Sequence, residues 1–438
     1  MEIIEKSLNL LRKYPLCDNC LGRCFALLGE GLPNDQRGKT IKTLIFLSLY
    51  HSAIKLGLTE DLKRDFIALA QSNYPQALSY LKKNGINVER KTCYICSNIF
   101  NKISYLLEFA LRKIVEYEFD TFLVGSSIPK EYLAREDQLK NEFKLEYSES
   151  LKRELNRVIG KKLQRLVGRC VSFNNPDIII LFNFKEASVE IQSSSVFIYG
   201  KYRKLVRGIP QSKWGRRKLR KDKSYVPKYN ISVEELITSP ILNFFQAKEA
   251  ILHAAGREDI DALMLGHGRP FVIEIKNPKK RNVQLEMLNE AINNFAKGYI
   301  EVNLISYTNK DKVREIKMIG QKTRKIYRAL VEVDRKVTQN DLEKIEKSLS
   351  GATIFQRTPT RVLHRRSDKL RHKKVYKVDL KLINENTFEM KIDAQGGLYI
   401  KELIDGDHGR TTPSVSEILN ASARCIELDV LDIILEGE

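Results

Sequence analysis

Two pairs of cysteines carry the plainest chemistry in this chain. Cys17-Asp18-Asn19-Cys20 and Cys93-Tyr94-Ile95-Cys96 are both Cys-x-x-Cys turns, and two such turns can deliver four thiolates to one tetrahedral zinc ion. Four sulfur ligands leave no open coordination position, so the metal would be structural. Four ordinary buried thiols, or one redox-active pair, are the alternatives that the residues leave open. Cys24 is a nearby spare that could replace one ligand, and Cys170 and Cys425 are read as core thiols. Seven cysteines in total, an odd number, do not make a disulfide framework, and a reducing cytoplasmic setting follows as the expectation.

The densest set of reactive side chains runs from Gly256 to Lys276 and holds four acids, two arginines and three glycines. Two enzyme readings are open from the residues alone. Asp259 or Asp261 with Glu274 and Lys276 would form the carboxylates and lysine of a magnesium-dependent nuclease. A single carboxylate beside a base-binding pocket would instead act as nucleophile or proton carrier. An inert surface charge cluster is the third possibility.

The elements that must position these groups read as α+β and multidomain. Residues 1–96 show apolar positions at helical spacing, as in Ile3, Ile4, Leu8 and Leu11, and form a helical zinc-binding module. Residues 97–208 mix helices (102–117, 148–166) with strands (119–124, 177–184, 188–200). Residues 209–230 are a basic connector, and 231–438 alternate strands and helices as a mixed-sheet domain. A helix is expected over 232–253, and Thr338 is expected to cap a helix over 341–349. No apolar run approaches the ~20 residues of a membrane span, and the amino-terminal residues lack the pattern of a signal peptide.

Charge narrows the partner. The 438 residues carry 75 Lys and Arg against 55 Asp and Glu, a formal +20, which suits a polyanion such as nucleic acid. Residues 201–228 hold twelve basic residues against the single acid Asp222, with Tyr202, Trp214 and Tyr225 among them. Basic residues interleaved with aromatics fit a surface that tracks a nucleic-acid backbone and stacks bases; a solvated connector is the bland alternative. A second basic stretch spans 357–374.

Gly256-Arg257-Glu258-Asp259 resembles the GRED box of pseudouridine synthases, specifically the archaeal-type tRNA enzymes with zinc-binding and THUMP domains. Gly266-His267-Gly268-Arg269-Pro270-Phe271, Lys325-Ile326-Tyr327-Arg328-Ala329, Gln395-Gly396-Gly397-Leu398-Tyr399-Ile400-Lys401 and Gly406-Asp407-His408-Gly409-Arg410-Thr411-Thr412-Pro413-Ser414 resemble further boxes of that family. Residues 177–180 and 199–204 resemble the closing strands of a THUMP domain. One departure is Leu263, where the family has arginine.

The resemblance implies isomerisation of uridine to pseudouridine in the TΨC loop of tRNA, at positions 54 and 55. Asp259 would be catalytic and no cofactor would enter the chemistry. Tyr327 and Tyr399 would flank the flipped base, Lys401 would be the cation beside the aspartate, and Arg410 would bind substrate or anchor the site. Cys17, Cys20, Cys93 and Cys96 would hold structural zinc. The implied partner is tRNA, with no membrane and no obligate protein partner. A catalytically silent tRNA-binding protein is the remaining alternative.

Overall fold

The computed structural model describes residues 2–213 and 229–434. The basic connector with Trp214 and Tyr225 lies outside the described residues for most of its length. The chain forms two compact units, Met1–Ser194 and Ser195–Glu438. Among the described residues, no helix is long and apolar enough to cross a membrane.

The first unit contains helices α1 (Glu2–Lys13), α2 (Asp18–Arg23), α3 (Asn34–Leu56), α4 (Glu60–Gln71), α5 (Pro75–Lys83), α6 (Ile103–Ile114), α7 (Lys130–Phe143) and α8 (Leu151–Val167). Its strands are β1 (Thr121–Ser127), β2 (Cys170–Val171), β3 (Ile178–Asn183) and β4 (Ser188–Ser193), in the order β2-β1-β3-β4. Strand β3 alternates buried and half-buried residues, with Ile178, Ile180 and Phe182 facing inward, as the two-residue period of a half-buried strand requires. Leu10, Leu21 and Phe66 of the helices and Phe122 and Ile178 of the sheet belong to one hydrophobic core. The helical region and the small sheet are therefore one folded body rather than two modules in series.

The second unit is built on a ten-stranded sheet. Its strands are β5 (Val196–Lys204), β6 (Glu249–Ala254), β7 (Leu263–Lys276), β8 (Ile300–Thr308), β9 (Arg324–Val333), β10 (Thr353–Gln356), β11 (Arg371–Asn384), β12 (Thr387–Gln395), β13 (Thr411–Thr412) and β14 (Ala423–Ile434). The order is β13-β10-β11-β12-β9-β14-β7-β5-β8, with β6 also paired to β7. Helices α9 (Val233–Phe244), α10 (Leu285–Ala296), α11 (Lys310–Lys322), α12 (Gln339–Leu349), α13 (Ile400–Asp405) and α14 (Val415–Leu419) complete it. Thr338 caps α12 in a reciprocal box with Asp341, the arrangement its sequence suggests.

Three segments depart from the sequence reading. The strand expected over 188–200 is two strands in different sheets. Strand β4 pairs with β3, whereas β5 pairs antiparallel with β7 and β8. The Tyr199–Lys204 segment thus belongs to the large sheet, not to a THUMP-like module ending at 208. The helix expected over 232–253 stops at Phe244, because Gln246 takes a positive φ and Glu249–Ala254 pairs with β7. Cys170 is exposed and Cys425 half-buried, so neither is the core thiol expected.

Candidate active site

The GRED segment is the turn between β6 and β7. Gly256 opens it at φ +81°, a conformation that favours glycine. The turn is then pinned from below by buried polar groups. Arg269 of β7 has no exposed side-chain surface, and its Nε lies 2.8 Å from Glu258 Oε2. That N–H does not point along the line, so the contact is an ion pair without a linear hydrogen bond. Arg269 Nη1 donates to the Ala255 carbonyl at 2.7 Å. Tyr202 donates its hydroxyl to the Glu258 carboxylate at 2.9 Å and accepts from Gln211 Nε2 at 2.8 Å. Gln211 also holds the Gly256 carbonyl at 3.1 Å.

Lys204 is the second clamp. Its ammonium donates to the carbonyls of Asp259 (3.2 Å) and Ile260 (2.7 Å), and burial lowers its pKa to about 8. Tyr202 and Lys204 alternate on the inward face of β5. Both act on the turn because β5 runs beside β7. With Glu258 and the backbone held from below, the Asp259 side chain is left partly exposed.

Two cations meet that carboxylate. Arg361 Nη2 is 3.2 Å from Asp259 Oδ2, and Lys401 Nζ is 3.8 Å from the same oxygen. Lys401 is closer to Asp261, at 2.6 Å. That carboxyl is pushed up by its partial burial, and the Lys401 contact outweighs this, leaving the pKa below the ordinary value. Arg361 is itself held by Glu402 Oε1 at 2.6 Å. Glu402 is a buried acid on α13 whose burial raises its pKa despite the guanidinium.

Tyr399 precedes α13 and is fixed through its backbone. Buried Gln356 of β10 accepts from the Tyr399 N–H at 2.9 Å and donates to its carbonyl at 3.0 Å. Arg366 Nη1 donates to the Tyr399 hydroxyl at 2.7 Å, and the Arg361 guanidinium lies 5.9 Å from the ring centroid. Tyr327 lies on the buried face of β9; burial pushes its phenol up to about 12, with the charges of Arg269 and Asp259 as opposing smaller influences.

Asp259 is therefore joined by Lys401 directly and by Tyr399 through Arg361, with Tyr327 electrostatically near. Arg410 is not part of this group. It donates to the Thr358 carbonyl at 3.0 Å and to Asp368 at 2.7 Å, bracing the 358–368 loop that carries Arg361. Arg361, Tyr202 and Lys204 fall in stretches read as nucleic-acid-binding, and neither they nor Gln211 are marked there as neighbours of Asp259. Pairing of β5 with β7 brings Tyr202 and Lys204 to the turn, while Gln211 and Arg361 reach it from segments outside the strands. At the departure Leu263, Arg207 binds the Asp261 carbonyl at 2.8 Å and Asp429 at 2.7 Å, so a guanidinium reaches that region from another segment.

The nuclease arrangement does not form. Glu274 is taken by His253 at 3.0 Å, and Lys276 lies 3.5 Å from Glu249. Glu274 sits five residues beyond Arg269 along β7, roughly 17 Å at the rise of an extended strand. Among the described residues, the one group of three or more His, Cys or acidic side chains placed to share a metal is Cys17, Cys20, Cys93 and Cys96.

Those four sulfurs lie within 4.8 Å of one another, with Cys17 Sγ and Cys96 Sγ at 3.6 Å. A tetrahedron with Zn–S bonds of ~2.3 Å has sulfurs ~3.8 Å apart, so the cluster fits the ion. Cys17 caps α2 and Cys20 lies within it. Helix α2 rests directly on α3: a Cβ on Gly22 would stand 1.8 Å from the Asn34 carbonyl oxygen. The second knuckle is tied to the first by the Tyr94 N–H, which donates to the Pro15 carbonyl at 2.8 Å. Cys24 is outside the group; its thiol donates to the Cys20 carbonyl at 3.2 Å, and burial raises its pKa to about 12.

Comparison with known proteins covers nearly the whole chain. Residues 197–434 match the family model described as Pus10, C-terminal, and residues 107–183 match the Pus10 THUMP domain, archaeal. The tRNA pseudouridine synthase Pus10 of Thermofilum pendens is 42% identical over 425 residues, spanning 97% of this chain and 94% of the relative. That of Methanocaldococcus jannaschii is 43% identical over 446 residues, spanning 99% and 94%. That of Pyrococcus furiosus is 36% identical over 438 residues and spans both chains completely.

Proposed function

Since the chain belongs to the Pus10 family of tRNA pseudouridine synthases, we propose that it isomerises uridine to pseudouridine in the TΨC loop of tRNA, at positions 54 and 55, with Asp259 as the catalytic carboxylate. The observation that carries the proposal is the construction of the GRED turn. Buried Glu258, Arg269, Tyr202 and Lys204 hold its backbone, and Asp259 is left partly exposed within reach of both Arg361 and Lys401. Such an arrangement presents a carboxylate in a fixed direction, which positioning catalysis requires.

Isomerisation breaks the C1′–N1 bond, turns the base, and joins C5 to C1′, with no net oxidation and no cofactor in the reaction. Asp259 acts as nucleophile at C1′ or as base toward the sugar. Lys401 and Arg361 hold its charge in place. A uridine drawn out of folded tRNA loses its stacking, and the rings of Tyr327 and Tyr399 replace it. Lys401 bridges Asp259 and Asp261, while Arg410 supports the loop that presents Arg361. The cysteine cluster holds one structural zinc ion, which braces the first unit and takes no part in the reaction. The basic residues of 201–228 and 357–374, apart from Lys204, Arg207 and Arg361, grip tRNA phosphates.

Tritium release from tRNA carrying C5-labelled uridine tests the reading. Wild-type protein should release tritium without added metal or cofactor, and Asp259→Ala should abolish release while binding tRNA as before. Undiminished release by the variant would overturn the assignment of Asp259, and no release by the wild type would overturn the function.

A further inference from the structure

Beneath the GRED turn lies a lysine that the arrangement above does not use. Lys325 is 6% exposed on β9, two residues before Tyr327 and on the same face of the strand. No hydrogen bond or ion pair to its ammonium is found among the described residues. A Cβ built on Gly256 would meet Lys325 Nζ and Arg269 Nη1, each at 3.3 Å, so both cations crowd the turn that carries Asp259. Arg269 Nη2 is buried without an acceptor. Half-buried Lys373 of β11 is near, donating to the Gly396 carbonyl at 2.8 Å. The one acid facing this group is Glu258, already engaged by Arg269 and Tyr202.

A buried ammonium without a counter-ion is costly to the fold. Its retention beside the reacting carboxylate is accounted for by an acceptor that arrives with the substrate. We infer that Lys325 is a substrate-binding catalytic residue, whose ammonium donates to a carbonyl oxygen of the flipped uracil and stabilises the negative charge that the ring gains when its bond to C1′ breaks. This rests on the reading of the protein as a uridine isomerase. When C1′–N1 breaks, the electron pair leaves with the base and spreads over N1, O2 and O4. When C5–C1′ forms, that pair makes the new bond, C5 gives up its proton and N1 takes one. Atoms and charge balance, with no co-reactant, and Lys325 keeps its proton throughout. A fixed cation where charge develops is among the strongest catalytic devices a dry site can offer. A planar base can lie along Tyr327 and present a carbonyl to this depth. A backbone phosphate is a tetrahedral, strongly hydrated anion and would have to shed that water to enter the same confined space.

The test uses the full chain and an unmodified tRNA transcript, with single-turnover tritium release and tRNA Kd measured for each variant. Lys325→Met should lower the rate constant by about 10²-fold or more, leave Kd unchanged, and leave the melting temperature equal to or above wild type. Lys325→Arg should recover part of the rate. The wild-type rate should fall as pH rises above about 7, the value to which burial, Arg269 and Lys373 lower the ammonium against the opposing charge of Glu258. In Lys325→Arg, whose charge persists to higher pH, that fall should disappear. A wild-type rate constant in Lys325→Met would overturn the inference while leaving the isomerase intact. Weakened Kd with an unchanged rate constant would overturn it in favour of a phosphate contact. Loss of rate together with lowered melting, both absent in Lys325→Arg at every pH, would overturn it in favour of a purely structural lysine. Absence of tritium release by the wild type would strike the functional reading itself.

Discussion

Replacing Arg269 by methionine isolates what holds the GRED turn. Neither Arg269 nor Glu258 has exposed side-chain surface, and their charged atoms lie 2.8 Å apart. Removing one member of such a pair costs roughly 3–5 kcal/mol, because the other charge stays buried without compensation. The hydroxyl of Tyr202 remains on the Glu258 carboxylate, which places the expected cost toward the lower end. For a unit of this size, each kcal/mol moves the melting temperature by roughly 2–4 °C, so Arg269→Met should melt about 6–12 °C below wild type. Glu258→Gln/Arg269→Met should recover most of that loss, since no unpaired charge remains. Differential scanning calorimetry of the wild type, both single variants and the double variant closes the cycle. Pseudouridine formation should remain low in the double variant, because Glu258 immediately precedes Asp259 and its anchor has changed. A single variant melting within about 2 °C of wild type, or a double variant no more stable than the single one, would refute the reasoning.

Arg361→Gln frees Asp259 and leaves the buried Glu402 without its cation; tritium release should fall by up to ~10²-fold as the carboxylate loses its orientation. Adding Glu402→Gln should restore melting but not rate, and equal recovery of both would show that Arg361 serves only the fold. For the cysteine cluster, metal analysis should find about one zinc per chain, and Cys93→Ser/Cys96→Ser should lose the metal and destabilise the first unit; full zinc content in that variant would refute the assignment. At pH 9 the buried ammonium groups of Lys204 and Lys325, lowered to about 8 and about 7, are mostly neutral in the fold, while an unfolded lysine near 10.4 is protonated. The unfolded state thus binds more protons, and stability from these two groups rises between about pH 7 and 10.4. Calorimetry at pH 9 in buffers of different ionisation enthalpy should detect about two protons taken up from these groups on unfolding, and one fewer in Lys325→Met. Affinity for tRNA should weaken steeply with salt if the basic stretches contact phosphates; a flat dependence would remove them from the interface.

Much of the local structure is legible in order along the chain. The Thr338 cap, the short apolar run of β3 and the Cys-x-x-Cys turns depend on neighbours within a few residues, and there the expectation and the structure agree. The end of the helix at Phe244 was not legible. Leu242, Ala250 and Leu252 continue an apolar pattern, and only pairing with β7 makes Glu249–Ala254 a strand. The sheet to which β5 belongs is hidden for the same reason. The run of alternating residues in β5 fits a strand in any sheet, and the choice of partner is made by β7 and β8, some 60 to 110 residues further on.

The sequence by itself grouped four thiols through residue type and short spacing, and the resemblance of its GRED segment pointed to Asp259 among several acids. Tertiary structure decided what surrounds them. Lys204 stands in a basic run that reads as a solvated face, and the sheet buries it beneath Asp259. Lys325 stands in sequence only as the start of the box that carries Tyr327, and the fold places it under Gly256 without a counter-ion. Whether a charge is screened by water or confined beside a carboxylate depends on what packs over it, and that is set by contacts between segments far apart in the chain.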